Sequence, residues 1–426
     1  MQRVRSALVV LVSLTALSPA PATAQATYPT KFSPALAEDP GVKQALAYLD
    51  ENFESQVTEW IRITEMPAKS TFEAQRGAYV RAELEPLGLE VSVDAAGNVT
   101  ARRPGTGGGP TVVFAAHMDT VHPMDTDLHV TRKDGRLHAP GIFDNSASVA
   151  NMLQAARALD AAKVRTRGDV IFVATVQEEL GLEGMEKWLD DHKGVPDMVV
   201  ALDGGLGPVN YGALGIYWSR MRFTAEGSHT NTSRGRPHPA RAAARAILDI
   251  YAIPLPDPGA PVGAVYNVGM IEGGKVVNAI PQEVWFTVDL RTVDAELLAT
   301  LDTTIEATCA AAAKAEGVAF AREDIQKSPA GGRPDQLADR RAHPLVQTAV
   351  DVLEYLGVDL PEGREALATG STDSNAAVVR GIPSISVGRA NGGNQHTLTE
   401  WADVESAKIG TKQIVLLAAA LAEVAR

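Results

Sequence analysis

The segment Val170-Ile171-Phe172-Val173-Ala174-Thr175-Val176, followed by Gln177 and the pair Glu178-Glu179, constrains the fold of this chain more than any other stretch. An unbroken apolar run of this length reads as a strand buried on both faces, and such strands belong to parallel sheets covered by helices. The carboxyl end of such a strand is where open α/β sheets gather their ligands. Two adjacent carboxylates there repel unless a positive charge holds them, because each pushes a proton back onto the other. A metal ion is the expected counter-charge.

The other end of the problem is where the folded chain starts. Arg3 and Arg5 precede an apolar stretch from Ala7 to Leu17, and Ala22-Thr23-Ala24 then supplies a small-residue cleavage pattern. Residues 1–24 therefore read as a secretory leader, the apolar stretch being too short for a membrane anchor, which needs about 20 residues. The expected product is exported, periplasmic or secreted. Losing Arg3 and Arg5 and no acid takes the formal charge from −13 to −15. That acidity argues against nucleic acid or an anionic membrane as partner, since both reward basic patches. Cys309 is the only cysteine, so an intrachain disulfide is excluded and stability must come from the core and from bound metal. Cys309 itself reads as a buried helical residue.

The 402 residues left after cleavage (426 less 24) exceed what one core usually supports, and two domains are expected. Residues 40–88 show apolar positions at helical spacing, including Leu46, Leu49, Phe53, Val57, Trp60 and Ile61. Short strands near 89–93 and 98–102 follow, then the strand 111–116 running into His117-Met118-Asp119. A helix over 146–159, the strand described above, a helix near 183–189 and a strand over 198–202 ending at Asp203 complete an alternation that implies a mostly parallel sheet. After Tyr211 the order changes to β-α-β-β, with strands over 216–224, 262–270 and 283–291 and a helix over 239–251. A helix over 295–316 and a strand over 318–322 close this part. The predicted architecture is an α/β catalytic domain, 25–212 and 331–426, interrupted by a smaller α+β domain over 213–330.

Three strand ends thus carry His117 and Asp119, Glu178 and Glu179, and Asp203, while Asp144 sits in the loop Gly141-Ile142-Phe143-Asp144-Asn145 before a helix. A fourth strand-like segment, 383–387, leads through Gly392-Gly393-Asn394-Gln395 to His396. Imidazoles and carboxylates without cysteine suit zinc or a similar divalent ion.

This ordered set resembles the co-catalytic dizinc exopeptidases and amidohydrolases that include peptidase T, glutamate carboxypeptidase and succinyl-diaminopimelate desuccinylase. The resemblance, nearest to peptidase T, implies two divalent metal ions, zinc first. Asp144 would bridge them, with His117 and Asp203 on one and Glu179 and His396 on the other. Glu178 would be the general base and Asp119 the carboxylate that orients His117. A cis peptide is implied between Asp144 and Asn145. Asn145 departs from the family pattern, in which many members carry a second acid, and Ser148 stands where glycine is common.

In the inserted domain, Gly227-Ser228-His229 resembles the family's lid, whose histidine reaches the active site of a partner subunit, so a homodimer is implied; a plain surface loop is the alternative. Asn278 and Arg291 resemble lid residues that contact substrate, although Arg291 could equally make a structural ion pair. Gly370-Ser371-Thr372-Asp373 resembles another substrate-facing loop. The expected reaction is hydrolysis of an amide bond in a small peptide by an aminopeptidase or dipeptidase, through a water activated by two metals. An N-acyl amino acid deacylase is the second reading and a non-catalytic exported binding protein the third. The stretch Asp203-Gly204-Gly205, similar to one in peptidase T, favours the first.

Overall fold

The computed structural model of the chain describes residues 29–256, 263–331, 334–360 and 370–425. The expected leader, residues 1–24, lies outside them. Strands in the first part are β1 (Glu90–Val93), β2 (Val99–Arg103), β3 (Val112–His117), β4 (Thr131–Lys133), β5 (Arg136–His138), β6 (Val170–Thr175), β7 (Met198–Leu202) and β8 (Val209–Asn210). The middle of the chain supplies β9 (Gly215–Thr224), β10 (Ser228–His229), β11 (Ala264–Gly273), β12 (Ala279–Ile280), β13 (Glu283–Thr292) and β14 (Ala319–Ser328). The last part adds β15 (Ser384–Val387), β16 (Gly392–Gly393) and β17 (Trp401–Asp403).

The main sheet has seven strands in the order β1-β2-β6-β3-β7-β15-β8. Its four central strands, β6, β3, β7 and β15, are parallel, and the antiparallel pairings lie towards the two margins. Side chains alternate across a strand, and the two faces of this sheet carry separate cores. Val112, Phe114, Ala116, Val170, Phe172, Ala174, Val200 and Leu202 pack into the larger core with the helices Phe53–Thr64, Ala147–Ala161 and Ala407–Leu421. Val113, Ala115, Ile171, Val173 and Val199 face the other way, against Met185, Trp188 and Leu189 of the helix Glu183–Asp191 and Ala376 and Ala377 of the helix Ser374–Val379. Burial on both faces is why these strands read as unbroken apolar runs.

Residues between the two parts of this sheet build a four-stranded antiparallel sheet in the order β11-β13-β9-β14. One face is covered by the helices Pro239–Tyr251 and Ala295–Glu316, with Phe223, Phe286, Ile250, Ile305 and Cys309 in the shared core. The helix expected over 295–316 has those bounds, stopped by Gly317 in the left-handed conformation. β14 runs to Ser328, six residues beyond the predicted end, because its exposed residues Glu323 and Asp324 hide the alternation. Cys309 is fully buried, and burial pushes its thiol up to about 12.

Beyond those two sheets is a small one that the sequence does not announce, with the order β16-β17-β5-β4. It joins Trp401–Asp403 to Arg136–His138 and so ties the loop containing His396 to the segment preceding Asp144. Strands of two or three residues are too short for a hydrophobic period. Among the described residues, no helix is long and apolar enough to cross a membrane.

Candidate metal centre

Each of the sequence-predicted ligands leaves a strand or loop at one edge of the main sheet. His117 is the last residue of β3, and Asp203 immediately follows β7. After β6 the chain turns through Gln177, whose φ of +54° reverses its direction, into a single 3-10 turn, Glu178–Leu180. Asp144 lies in the irregular turn Ile142–Ser146, and the Asp144-Asn145 peptide is cis, as the resemblance implies. His396 lies in the loop between β16 and β17 and is half exposed.

These side chains converge around Asp144. One of its oxygens, Oδ1, is 3.3 Å from His117 Nε2, and the other, Oδ2, is 3.4 Å from His396 Nε2. His117 Nε2 is also 3.8 Å from Asp203 Oδ2, while His396 Nε2 is 3.2 Å from Glu179 Oε1. Two groups therefore form, His117/Asp144/Asp203 and Asp144/Glu179/His396, each with donor atoms within 4.8 Å of one another. Both share Asp144, one through each oxygen. Glu178 Oε2 sits 3.9 Å from His117 Nε2, and His117, Glu178 and Glu179 make a third such group.

The donor chemistry fits divalent ions that accept imidazole nitrogen and carboxylate oxygen. Asp144 Oδ1 and Glu179 Oε1 are buried and accept no well-aligned hydrogen bond, although nitrogens of Arg389, His117 and His396 lie 3.1 to 3.3 Å away. Buried oxygens without an aligned donor are expensive unless a cation meets them.

Ionisation in the cluster follows from crowding and burial. Burial pushes the Glu178 carboxyl well above the usual carboxylate range; His117 opposes this, and Glu179 and Asp203 add to it. Glu179 is raised by burial as well, against the pull of His396. Burial acts on Asp144 in the same sense, but Arg389 and the two imidazoles outweigh it and hold this carboxyl well below its usual range. His396 is pushed up to about 10 by Asp144 and Glu179. Desolvation works against a charged His117, yet Glu178, Asp119 and Asp144 lift it well above the usual imidazole value. The cluster is thus short of positive charge.

Asp119, expected to orient His117, also contacts the neighbouring backbone. His117 Nδ1 lies 3.1 Å from the Asp119 backbone carbonyl and 3.4 Å from Oδ1. The carboxylate itself accepts from the backbone N–H of Glu178 at 3.0 Å, that of Glu179 at 3.1 Å and the Ser70 hydroxyl at 2.7 Å. It therefore pins the turn that carries both glutamates. Glu400 does the same for the Asp144 loop: fully buried, it accepts from the N–H groups of Gly141, Phe143 and Asp144 at 2.7 to 3.0 Å. Trp60 adds a hydrogen bond from Nε1 to the Ile142 carbonyl.

Sequence reasoning missed Glu400 and Arg389. Glu400 follows no strand and has no local signal. Arg389 stands two residues beyond β15, so the strand-end rule that found Asp203 could have found it. Its guanidinium contacts Asp203 Oδ1 and is 3.1 Å from Asp144 Oδ1. Asp373, in the Gly370–Asp373 loop, is also buried beside the cluster; burial raises its carboxyl to about 7, and the Thr175 hydroxyl donates to it.

In the inserted part of the chain, β10 pairs with β12 as a separate two-stranded sheet and sets His229 beside Asn278, with Nε2 and Nδ2 3.5 Å apart. His229 lines a cavity of about 780 Å³ built wholly from the inserted segment, including Glu272, Lys275 and Trp285. Arg291 is engaged with Asp289, Nε lying 2.9 and 3.1 Å from its two oxygens.

Comparison with known proteins agrees with this fold. The chain is 28% identical over 263 residues to an IAA-amino acid hydrolase of Arabidopsis thaliana, covering 58% of each protein. It is 29% identical over 236 residues to an acetylornithine deacetylase of Myxococcus xanthus, covering 50% of this chain and 60% of that protein. It thus spans less than two thirds of the length of these curated relatives. The aminopeptidase PepT of Bacillus cereus superposes with a TM-score of 0.70 at 23% identity, over 87% of this chain and 99% of that one. A Bacillus subtilis protein described as a dinuclear metal binding peptidase of the M20 family gives 0.64 at 17% identity, over 88% and 100%. At these identities the superpositions establish the fold. The sequence profile of peptidase family M20/M25/M40 matches residues 113–420, most of the chain, and the chain therefore belongs to that family.

Proposed function

We propose that this hydrolase cleaves an amide bond in small peptides as an exopeptidase, of aminopeptidase or dipeptidase type, with two divalent ions, zinc first. The observation that carries the reading is the division of Asp144, one oxygen towards His117 and the other towards His396. A carboxylate so placed is suited to bridge two ions. His117 and Asp203 would complete one subsite, and Glu179 and His396 the other. When bound, such a pair supplies Lewis acidity, polarising a carbonyl and lowering the pKa of water.

The chain's own residues supply the rest. Glu178 sits beside both subsites and burial raises its carboxyl, which suits a group that takes a proton from water and returns it to the leaving amine. Asp119 fixes the backbone of the Glu178–Glu179 turn, and Glu400 fixes that of Asp144, so base and bridge are held in register. Little repositioning is then needed as charge develops.

Removal of an acyl group from an amino acid is the second reading, supported by the acetylornithine deacetylase and the IAA-amino acid hydrolase among the relatives. The likeness to PepT and the Asp203-Gly204-Gly205 stretch support the first. A non-catalytic binding role would call for a missing ligand or base, and the expected set is complete.

The homodimer is part of the proposal. β11 is an outer strand of the inserted sheet, and Val265, Met270 and Ile271 on it are exposed, as are Val276 and Val277 just beyond. An unpaired apolar edge invites pairing with a second copy. His229 and Asn278 on the same segment would then face the partner's site.

Three outcomes test this reading. Glu178→Ala should keep its bound metal and lose about 10²–10⁴ in kcat; undiminished hydrolysis would remove Glu178 from its role. Free-amine dipeptides and tripeptides should be cleaved, and a chelator should abolish cleavage. Turnover of N-acylated substrates alone would favour the deacylase, and chelator-insensitive turnover would contradict both. Sedimentation at micromolar concentration should show a dimer, which a charge such as Ile271→Glu on the β11 edge should weaken; a monomer in the unaltered protein would contradict the lid assignment.

A further inference from the structure

Arg389 is the one buried guanidinium in contact with carboxylates of the cluster among the described residues, and its contacts are one-sided. Its Nη1 touches Asp203 Oδ1 and donates to Asn145 Oδ1 at 3.1 Å, and its Nη2 is 3.1 Å from Asp144 Oδ1. These are the two carboxylates of the His117 group. Neither Glu179 nor His396 is among its contacts, and the Asp144 oxygen that faces His396 is the other one. The side chain has no exposed surface, and its guanidinium lies 4.1 Å over the Phe143 ring.

This placement is built rather than incidental. The Arg389 carbonyl accepts from Asn151 Nδ2 at 2.8 Å. Gly410 lets the helix Ala407–Leu421 approach so closely that a Cβ there would lie 1.8 Å from that same carbonyl oxygen. On the other side, the Arg389 N–H donates to the Gly204 carbonyl, in the residue after Asp203. Arginine is the side chain suited to such a task, since it stays charged when buried and its fork engages two carboxylates at once.

We propose that Arg389 makes the two metal subsites unequal, weakening the His117/Asp144/Asp203 subsite for a divalent cation while holding its carboxylates in place when that subsite is empty. The inference rests on the two-ion reading above. A fixed positive charge within 3.1 Å of a ligand oxygen repels an incoming cation and competes for its lone pairs. It also confines Asp203 to offering Oδ2, the oxygen turned to His117, because Oδ1 is occupied. Among the described residues the Asp144/Glu179/His396 subsite has no such competitor, and His396 at its rim is half exposed. Ions should therefore load in order, the Glu179/His396 subsite first. Arg389 is a positioning residue in this account, acting through Asp144 and Asp203.

The test is zinc content per chain, measured on metal-stripped full-length protein equilibrated with buffers of graded free zinc. The unaltered protein should fill in two separated steps. Arg389→Met should move the weaker step to at least about tenfold lower free zinc, and Arg389→Lys, which keeps the charge, should leave the steps apart. His117→Gln should remove the weaker step and spare the tighter one. Thermal unfolding of the same samples guards against a folding artefact: Arg389→Met should lower Tm chiefly in the metal-free form, so that the rise in Tm on adding zinc becomes larger. Filling in a single step, a weaker step unmoved by Arg389→Met, or loss of the tighter step in His117→Gln would overturn the inference with the two-ion reading intact. Failure of the unaltered protein to bind two ions would instead overturn the two-ion reading, and this inference with it.

Discussion

Four carboxylates, from Asp144, Glu178, Glu179 and Asp203, are brought to one patch at the end of a sheet where His117 beside them has almost no contact with solvent. Left to themselves such groups would take up protons or move apart, since like charges in a place poor in water repel strongly. The chain prevents separation by anchoring the backbone beneath each one. Asp119 holds the turn of Glu178 and Glu179 through their N–H groups, Glu400 holds the loop of Asp144, and parallel pairing of β3, β6, β7 and β15 sets the depth of His117, Thr175 and Asp203. The repulsion is thereby turned into a demand for cations. Most features around the site, including the raised imidazoles of His117 and His396, are responses to that demand.

The arrangement also separates duties between neighbours. Glu179 faces His396 and Asp144, whereas Glu178, one residue earlier on the same 3-10 turn, faces His117 and is the more deeply affected by burial. A tight turn can do this because consecutive side chains leave it in different directions. In the proposed mechanism, adjacency in sequence would set a base and a ligand a short distance apart, and one anchor, Asp119, holds the backbone of both.

Much of this was legible in the sequence because it depends on strands buried on both faces. The run 170–176, the strand 198–202 and the segment 383–387 declare themselves by apolar composition, and a rule about strand ends then points to Glu178, Glu179 and Asp203. The segment 383–387 and the Gly-rich loop after it point to His396, and the loop before a helix to Asp144, while their roles as ligands follow only from the ordered motif. The sheet that secures them, β16-β17-β5-β4, is made of pieces two or three residues long and pairs segments more than 250 residues apart, so no window along the chain could reveal it. Glu400 is silent for the same reason: its three partners lie near residue 142. Arg389 stands near a strand end but carries no ligand signature, because a guanidinium is a cation and cannot coordinate a metal ion.

The central claim is that Asp144 joins two ions held by the two histidine groups. Anomalous diffraction at the zinc edge, from crystals of the full chain grown with zinc, tests it most directly. The account predicts two peaks about 3.5–4 Å apart, one among His117, Asp144 and Asp203 and the other among Asp144, Glu179 and His396. A single peak, or two peaks that leave Asp144 out, would contradict it.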